Sequence, residues 1–185
     1  MLHSTFGCVG GTVALEMTLN IHSKAIRKGR KFDQVLEGAR DVFLVDGFGA
    51  ANMDHVAKAS GVSKATLYSY FADKESLFIA VVQTICAHQA EQAMQHIDQS
   101  APPAEVLSSA ARHLLGFMTS EFGQRIFRIC VAEADRFPDL GLAFYQSGPM
   151  VVRAKIGEYL HDATAKGLLD IVDCDLAADQ FAELC

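Results

Sequence analysis

The sequence lacks tryptophan and contains only four prolines among 185 residues, half of which are hydrophobic. Because proline interrupts helices, so few prolines favour a chain of long helices packed around a sizeable core. No apolar run is long enough to cross a membrane as a helix. We therefore expect an all-α protein of one or two compact domains that has no membrane partner.

Closely spaced cysteines are also absent, since no CxxC pair occurs anywhere in the chain. The chain has an odd number of cysteines at wide spacing, which indicates neither a zinc site nor a disulfide framework. His88 and His96 lie two helical turns apart, but no third ligand stands at a suitable spacing. We expect reduced thiols in a cytoplasmic protein, with no metal and no cofactor. The cysteines are Cys8, Cys86, Cys130, Cys174 and Cys185.

Positive charge is scarce overall, with a net charge of −6, which argues at first against a nucleic-acid partner. The excess of acidic residues is unevenly distributed, however. Residues 1–75 hold 9 Lys and Arg against 8 Asp and Glu, whereas residues 76–185 hold 7 against 14. Such asymmetry is expected when only the first part of a chain meets phosphate.

The stretch from Asn52 to Phe71 has the pattern of two short helices joined by a tight turn. Gly61 can adopt the left-handed backbone that ends a helix, and Ser63 is a good N-cap for the next one. Asn52 can cap the first helix in the same way. Apolar residues at helical spacing then face inward on both helices, at Met53, Val56, Ala57, Leu67 and Phe71.

The outward face of the second short helix is small, hydroxylated, basic or aromatic, and residues 63–70 include no acid. Such a face can approach a polyanion closely and donate hydrogen bonds to it, as the second helix of a helix-turn-helix does in the major groove. The pattern alone fits a plain αα-hairpin in a helical core equally well.

A longer run that contains this stretch, VLEGARDVFLVDGFGAANMDHVAKASGVSKATLYSYFADKESLFIAVV, resembles the N-terminal domain of the TetR family of bacterial transcriptional regulators. The resemblance implies a three-helix DNA-binding head, a long fourth helix and an all-helical C-terminal domain for ligand binding and dimerisation. The segment that begins AEADRFPDLGLAFYQSGP is similar to C-terminal domains of the AefR-like branch. One departure is Asn52-Met53, where many members carry Thr or Ser pairs; it changes the cap and not the fold.

The resemblance also suggests which residues meet DNA. Lys64 could bond a guanine edge or a phosphate, and Thr66 could meet a thymine methyl or a phosphate. By analogy Tyr68, Tyr70 and Lys74 contact the backbone, and Ser63, Ser69 and Asn52 are weaker candidates. The basic segment KAIRKGRK at residues 24–31, with Lys28 and Arg30, is either a solvated tail or an arm that lies along phosphates or in the minor groove.

We expect three regions: an N-terminal extension at 1–23 that is disordered, a DNA-binding domain with its basic arm at 24–76, and an effector-binding and dimerisation domain at 77–185. Translation could begin at Met17, and the final helix stops in mid-pattern at Cys185. Later helices begin near the Pro102-Pro103, Pro138 and Pro149 positions, and Asp175 is the expected cap of the last one. The expected helices are Phe32 to Asp46, Met53 to Ser60, Lys64 to Tyr70, Lys74 to Gln99, Ala104 to Thr119, Phe122 to Ala134, Leu140 to Gln146, Pro149 to Lys166, and Asp175 onward.

Regulation in such a protein needs a cavity for a small molecule and a two-fold partner. A mixture of Phe and Met in the later helices suits a hydrophobic or aromatic effector. The candidate lining residues are Met94, His113, Phe117, Met118, Phe127, Phe144 and Tyr145. The candidate dimer contacts, which could instead be internal core, are Val151, Val152, Ile156, Tyr159, Leu160, Leu176 and Phe181.

These observations together predict a homodimeric regulator of a palindromic double-stranded operator, more often a repressor, released by a small hydrophobic effector. Two alternatives are a small helical enzyme and a dimerisation module that does not bind DNA. No GxSxG, HExxH or P-loop motif occurs, and Glu133 and Asp135 point in different directions on a helix. We therefore expect no catalytic residues and no enzyme activity.

Overall fold

The computed structural model describes residues 29–185, and within that range the regular structure is entirely α-helical. The all-α prediction is therefore confirmed. In chain order the nine helices of this range are α1 (Arg30–Ala50), α2 (Met53–Ala59), α3 (Lys64–Tyr70), α4 (Lys74–His96), α5 (Pro103–Thr119), α6 (Glu121–Glu133), α7 (Pro138–Ser147), α8 (Pro149–Ala165) and α9 (Cys174–Leu184).

Helices α2 and α3 form the expected helix-turn-helix. Asn52 Oδ1 accepts a hydrogen bond from the His55 amide at 2.9 Å, and Ser63 Oγ accepts one from the Thr66 amide at 3.1 Å. Gly61 has a φ of +64°, so the left-handed turn between the two helices falls on the residue that tolerates it best. The inward residues of both helices, including Leu67, are buried.

Helix α1 is longer than predicted at both ends. It begins at Arg30, so the end of the proposed arm belongs to its first turn. It continues past Asp46 through a kink at Gly47, where φ is +74°. The kink turns Phe48 into the core, and Phe48 is only 3% exposed.

Several other helix ends differ from the sequence prediction by one to three residues; α7, for example, begins at Pro138 and not at Leu140. Asp173, and not Asp175, caps α9, because its carboxylate accepts a hydrogen bond from the Leu176 amide at 2.9 Å. Asp175 lies in the first turn instead. Helix α4 ends at His96 because the next residue, Ile97, has an extended backbone.

A single hydrophobic core joins the helix-turn-helix to the later helices. Phe43, Phe48 and Phe78 pack on one another with ring centroids 5.1 to 5.9 Å apart. The same cluster continues through α4 into α6 and α7, where Ile126 and Leu140 are almost fully buried. A shift of α6 or α7 would therefore be felt by the packing of α1.

A second, smaller core lies between α8 and α9. Ile156, Leu160, Cys174 and Ala178 are buried there, and Val152, Tyr159 and Phe181 are packed against them. Of the candidate dimer contacts, these α8 and α9 side chains are therefore used inside the chain. Leu176 is the member of that set with a large exposed fraction, 52%.

Among residues 29–185, no helix is both long enough and apolar enough to span a membrane.

Candidate DNA-binding surface and effector cavity

Lys64 stands at the start of α3 and is exposed, as the sequence predicted. Its ammonium Nζ lies 2.6 Å from the carboxylate Oδ2 of Asp54, in the first turn of α2. Both side chains are more than half exposed, so the pair is open to an incoming ligand. The surface of α3 is thus free of its own acids but carries one contributed by α2, which sequence reasoning had missed.

The hydroxyl groups on α3 are mostly bonded within the helix. Ser63 Oγ lies 2.9 Å from Thr66 Oγ1, and Ser69 Oγ donates to the Thr66 carbonyl at 2.6 Å. Asn52 Oδ1 is likewise committed to its cap. These side chains shape the surface and offer their remaining donors and acceptors only in fixed directions.

The two tyrosines of α3 have different surroundings. Tyr68 is 51% exposed and points outward. The Tyr70 ring is half-buried and packs edge-on against Phe32 of α1, with centroids 5.6 Å apart. Tyr70 therefore positions α3 against α1 and can present at most one edge to a ligand.

The ammonium group of Lys74 is hydrogen-bonded within the protein. Its Nζ donates to the carbonyl oxygens of Phe48 at 2.6 Å, Ala51 at 3.0 Å and Gly49 at 3.3 Å. The ammonium also lies 4.5 Å from the centroid of the Phe48 ring. Burial lowers the pKa of Lys74, while nearby Glu133 opposes that shift. Lys74 thus satisfies the carbonyls at the end of α1, a role that sequence reasoning missed, and its contact with the DNA backbone stays a prediction.

The basic arm is only partly visible. Arg30 is exposed in the first turn of α1. Lys28 and the extension at 1–23, including the candidate start at Met17, lie outside the described residues.

A cavity of about 530 Å³ opens among helices α4 to α9, and its wall is mainly apolar. Six of the seven candidate effector residues line the cavity, and these six lie on helices α4 to α7. Tyr145 is not among the lining residues, and its side chain is 53% exposed. The six are Met94, His113, Phe117, Met118, Phe127 and Phe144.

Helix α5 contributes much of the apolar surface that lines the cavity. Part of its amphipathic stripe faces the cavity, while Leu107 and Ala110 also pack against the second core. Val106, Ala110 and Leu114 lie one turn apart on this stripe and were readable from helical spacing. Met94, Met118 and Phe127 are between 39% and 48% exposed, so the cavity opens to solvent beside them.

A few polar groups interrupt the apolar wall. His113 lies on α5 with its ring 5.7 Å from that of His96, whose Nδ1 donates to the Gln92 carbonyl at 2.7 Å. Tyr159 of α8 also lines the cavity, and burial raises the pKa of its hydroxyl above the ordinary value. A mostly apolar wall with a few placed polar groups is typical of small-molecule sites.

Within residues 29–185 no cluster of three His, Cys, Asp or Glu side chains could hold a metal ion.

Helix α6 connects the cavity wall to the first helix. Arg125 Nη1 donates to the Leu44 carbonyl of α1 at 2.8 Å, and its other nitrogen bonds Glu121 at 2.6 Å.

Two family models match the chain. Residues 35–81 match the model for bacterial regulatory proteins of the TetR family, and residues 105–185 match the AefR-like transcriptional repressor C-terminal domain. Between them they cover the helix-turn-helix and the cavity-bearing helices.

Individual proteins show the same similarity. The flavonoid-responsive regulator FrrA is 38% identical at a TM-score of 0.69, with 85% of this chain and 80% of that chain covered. A TetR-family regulator from Mesorhizobium loti is 28% identical at a TM-score of 0.72, with 80% and 75% covered. The regulator UidR of Escherichia coli K12 is 26% identical over 135 residues, which are 72% of this chain and 66% of UidR. The aligned part thus spans just under two thirds of that curated relative. The two matched domains, in this order and on this fold, show that the chain belongs to the TetR family of transcriptional regulators.

Proposed function

We propose that this protein is a sequence-specific DNA-binding transcriptional regulator, a repressor that a small hydrophobic effector releases from its operator. The observation that carries the proposal is the exposed polar face of α3. Its one inward residue, Leu67, is fully buried, while Lys64 and Tyr68 face solvent. This presentation is the one a helix needs to enter the major groove.

In this proposal Lys64 contacts a base edge or a phosphate, and Tyr68 contacts the backbone. The hydroxyl groups of Thr66, Ser63 and Ser69 contact DNA through the donors and acceptors that their internal hydrogen bonds do not use. Arg30, together with the arm that contains Lys28, adds phosphate contacts, and each phosphate neutralised steepens the salt dependence of binding. Phosphate contacts set the register, and base contacts select the sequence.

The operator is a palindrome because the protein binds it as a homodimer. Two heads about 34 Å apart would address successive major grooves on one side of the duplex. The outer side of α9 and the loop before it supplies the contact, since Leu168, Val172 and Leu176 are each more than half exposed there. Replacement of Leu176 by Asp should turn a dimer into a monomer in light scattering. An unchanged dimer would place the contact elsewhere.

The effector occupies the cavity. A volume of about 530 Å³ lies within the range of small-molecule sites, roughly 300–1,000 Å³, and the wall is apolar and aromatic. FrrA, which is similar over most of the chain, is described as flavonoid-responsive. We therefore propose an aromatic effector about the size of a flavonoid, with His113 and Tyr159 as its polar partners. It acts by its higher affinity for the head spacing that does not fit DNA.

One experiment tests the whole proposal. The purified protein is mixed with fragmented genomic DNA, and the bound fragments are sequenced and footprinted at two salt concentrations. We expect a palindromic site whose affinity falls steeply with salt, and release from it by a flavonoid such as naringenin but not by a long-chain fatty acid. Capture of no sequence above background would exclude the regulator, and turnover of a small molecule would favour the enzyme alternative.

A further inference from the structure

The ion pair between Asp54 and Lys64 lies on the surface that the proposed function directs at DNA. Asp54 belongs to the first turn of α2 and Lys64 to the first turn of α3, ten positions later. Their side chains are 60% and 63% exposed, and the charged atoms are 2.6 Å apart. Asp54 also suits the dipole of α2 from its first turn, but that interaction does not need Lys64 as a partner.

Stability does not account for this pair. An ion pair between exposed side chains contributes little to stability, because water screens the two charges. A carboxylate on a surface that meets phosphates also opposes binding by like-charge repulsion. Asp54 therefore costs DNA affinity unless it meets a hydrogen-bond donor in the complex.

In the major groove the available donors are the exocyclic amino groups, N4 of cytosine and N6 of adenine. Lysine prefers the opposite partners, guanine O6 and N7. Successive bases of one strand are about 3.4 Å apart along the axis. Because the two side chains are adjacent and exposed, they can separate from each other to meet two neighbouring bases, one with an acceptor and the other with a donor.

We propose that Asp54 is a specificity-determining residue, which accepts a hydrogen bond from a cytosine or adenine amino group beside the base that Lys64 contacts. The proposal rests on the proposed function and adds a reading residue from α2. Keto oxygens at that neighbouring position, as in guanine or thymine, would face the carboxylate and be rejected.

The test is selection of bound sequences from a random duplex library by the full chain, followed by affinity measurements on single-base variants of the best site. Three variants accompany the wild type: Asp54→Ala, Asp54→Asn and Asp41→Ala. Asp41 is an exposed acid of α1 that is paired with Arg40, so its removal changes the charge equally without touching α2 or α3. Circular dichroism confirms that each variant is folded.

For the wild type we expect a base with an amino group at one position of each half-site, preferred about tenfold. Asp54→Ala should abolish the preference at that position alone and raise affinity for unrelated DNA. Asp54→Asn should move the preference to adenine, because an amide bonds adenine N6 and N7 together. Asp41→Ala should leave every base preference as it was.

If Asp54→Ala and Asp41→Ala raised affinity equally on all sequences, Asp54 would be only a repulsive charge and the proposal would be wrong. Where the wild type selects cytosine, an unchanged preference for cytosine in Asp54→Asn would overturn it too, and where the wild type selects adenine, loss of that preference in Asp54→Asn would do so. Failure of the proposed function would show itself separately, because the wild type would then select no sequence at all.

Discussion

The ammonium of Lys74 at the start of α4 lies 2.6 Å from the carbonyl oxygen of Phe48 near the end of α1, and 4.5 Å from the centre of the same residue's ring. The Phe48 ring in turn packs on Phe137, with centroids 5.2 Å apart. A chain of contacts thus runs from the start of α4, through Phe48 of α1, to the segment between α6 and α7.

Lys74→Ala should destabilise the protein, because three carbonyl oxygens would lose a charged donor. Hydrogen bonds to charged groups contribute about 1.5–3 kcal/mol. Since the side chain is only half-buried, we expect a loss of about 1–2 kcal/mol in the free energy of unfolding, measured by urea denaturation. Lys74→Met, which keeps the stem over Phe48, should lose slightly less. A drop in the salt slope of DNA binding by about one, with no loss of stability, would return Lys74 to the phosphate contacts.

Gly38 and Gly116 should respond in opposite directions to alanine. A Cβ on Gly38 would lie 2.3 Å from Ser60 Oγ and 2.7 Å from the Ser60 amide, so α1 and α2 would have to move apart. Overpacking of this kind costs about 1–3 kcal/mol. Gly116 is in the interior of α5 with open space around it, so alanine there should raise stability by up to about 1 kcal/mol. Equal urea midpoints for the two variants would contradict the packing described here.

Removal of the hydroxyl from Tyr68 should weaken binding to all DNA sequences alike. The ring is exposed, so Tyr68→Phe should leave stability unchanged within about 0.5 kcal/mol. A neutral hydroxyl releases no counterion, so the salt slope should also stay constant. Arg30→Ala is the matched contrast, since loss of a phosphate cation should reduce the slope by about one. Fluorescence anisotropy over a salt series separates the two cases.

Local signals made the helix-turn-helix predictable. The caps at Asn52 and Ser63, the left-handed glycine at Gly61 and the apolar spacing all act within a few residues, and the structure shows each of them. The stripe of α5 was equally readable. Its use as a cavity wall was not, because a stripe says which side is apolar and not whether a neighbour fills the space.

Features that depend on distant parts of the chain were missed. The bond from Lys74 to Phe48 spans 26 positions, and only the kink at Gly47 brings the two together. The pairing of Asp54 with Lys64 needs the angle between α2 and α3. Phe144 and Tyr145 are neighbours, but a helix turns about 100° per residue, so one lines the cavity and the other is exposed.

A bulky side chain in the cavity should abolish the response to effector while sparing DNA binding. Ala110 lies on the cavity-facing stripe of α5, so Ala110→Phe would fill part of the space. We expect effector affinity to fall more than about tenfold, since loss of complementarity of 1.4 kcal/mol already gives that factor. Ala104→Phe, exposed on the same helix, is the control. Titration calorimetry with naringenin and operator release would report the two variants; release that survives in Ala110→Phe would place the effector elsewhere.

The thiols offer a probe of the cavity that needs no DNA. Burial raises the pKa of Cys130 from 9.0 to about 12, and burial likewise raises the pKa of Cys86. Only the thiolate is alkylated, so a higher pKa means slower reaction; for Cys130 the thiolate fraction at neutral pH falls about a thousandfold. Of the four cysteines in the described part of the chain, Cys185 is only half-buried and should react first with iodoacetamide, as peptide mass spectrometry would show.

Cys86 and Cys185 both line the cavity, whereas Cys174 is buried between α8 and α9. A bound effector should therefore slow alkylation of Cys86 and Cys185 and leave the rate at Cys174 unchanged. In guanidinium all these thiols should react at similar rates, which controls for intrinsic differences. Protection of Cys174 alone would contradict the cavity as the effector site. Fast alkylation of Cys130 in the folded protein would contradict the burial of that thiol.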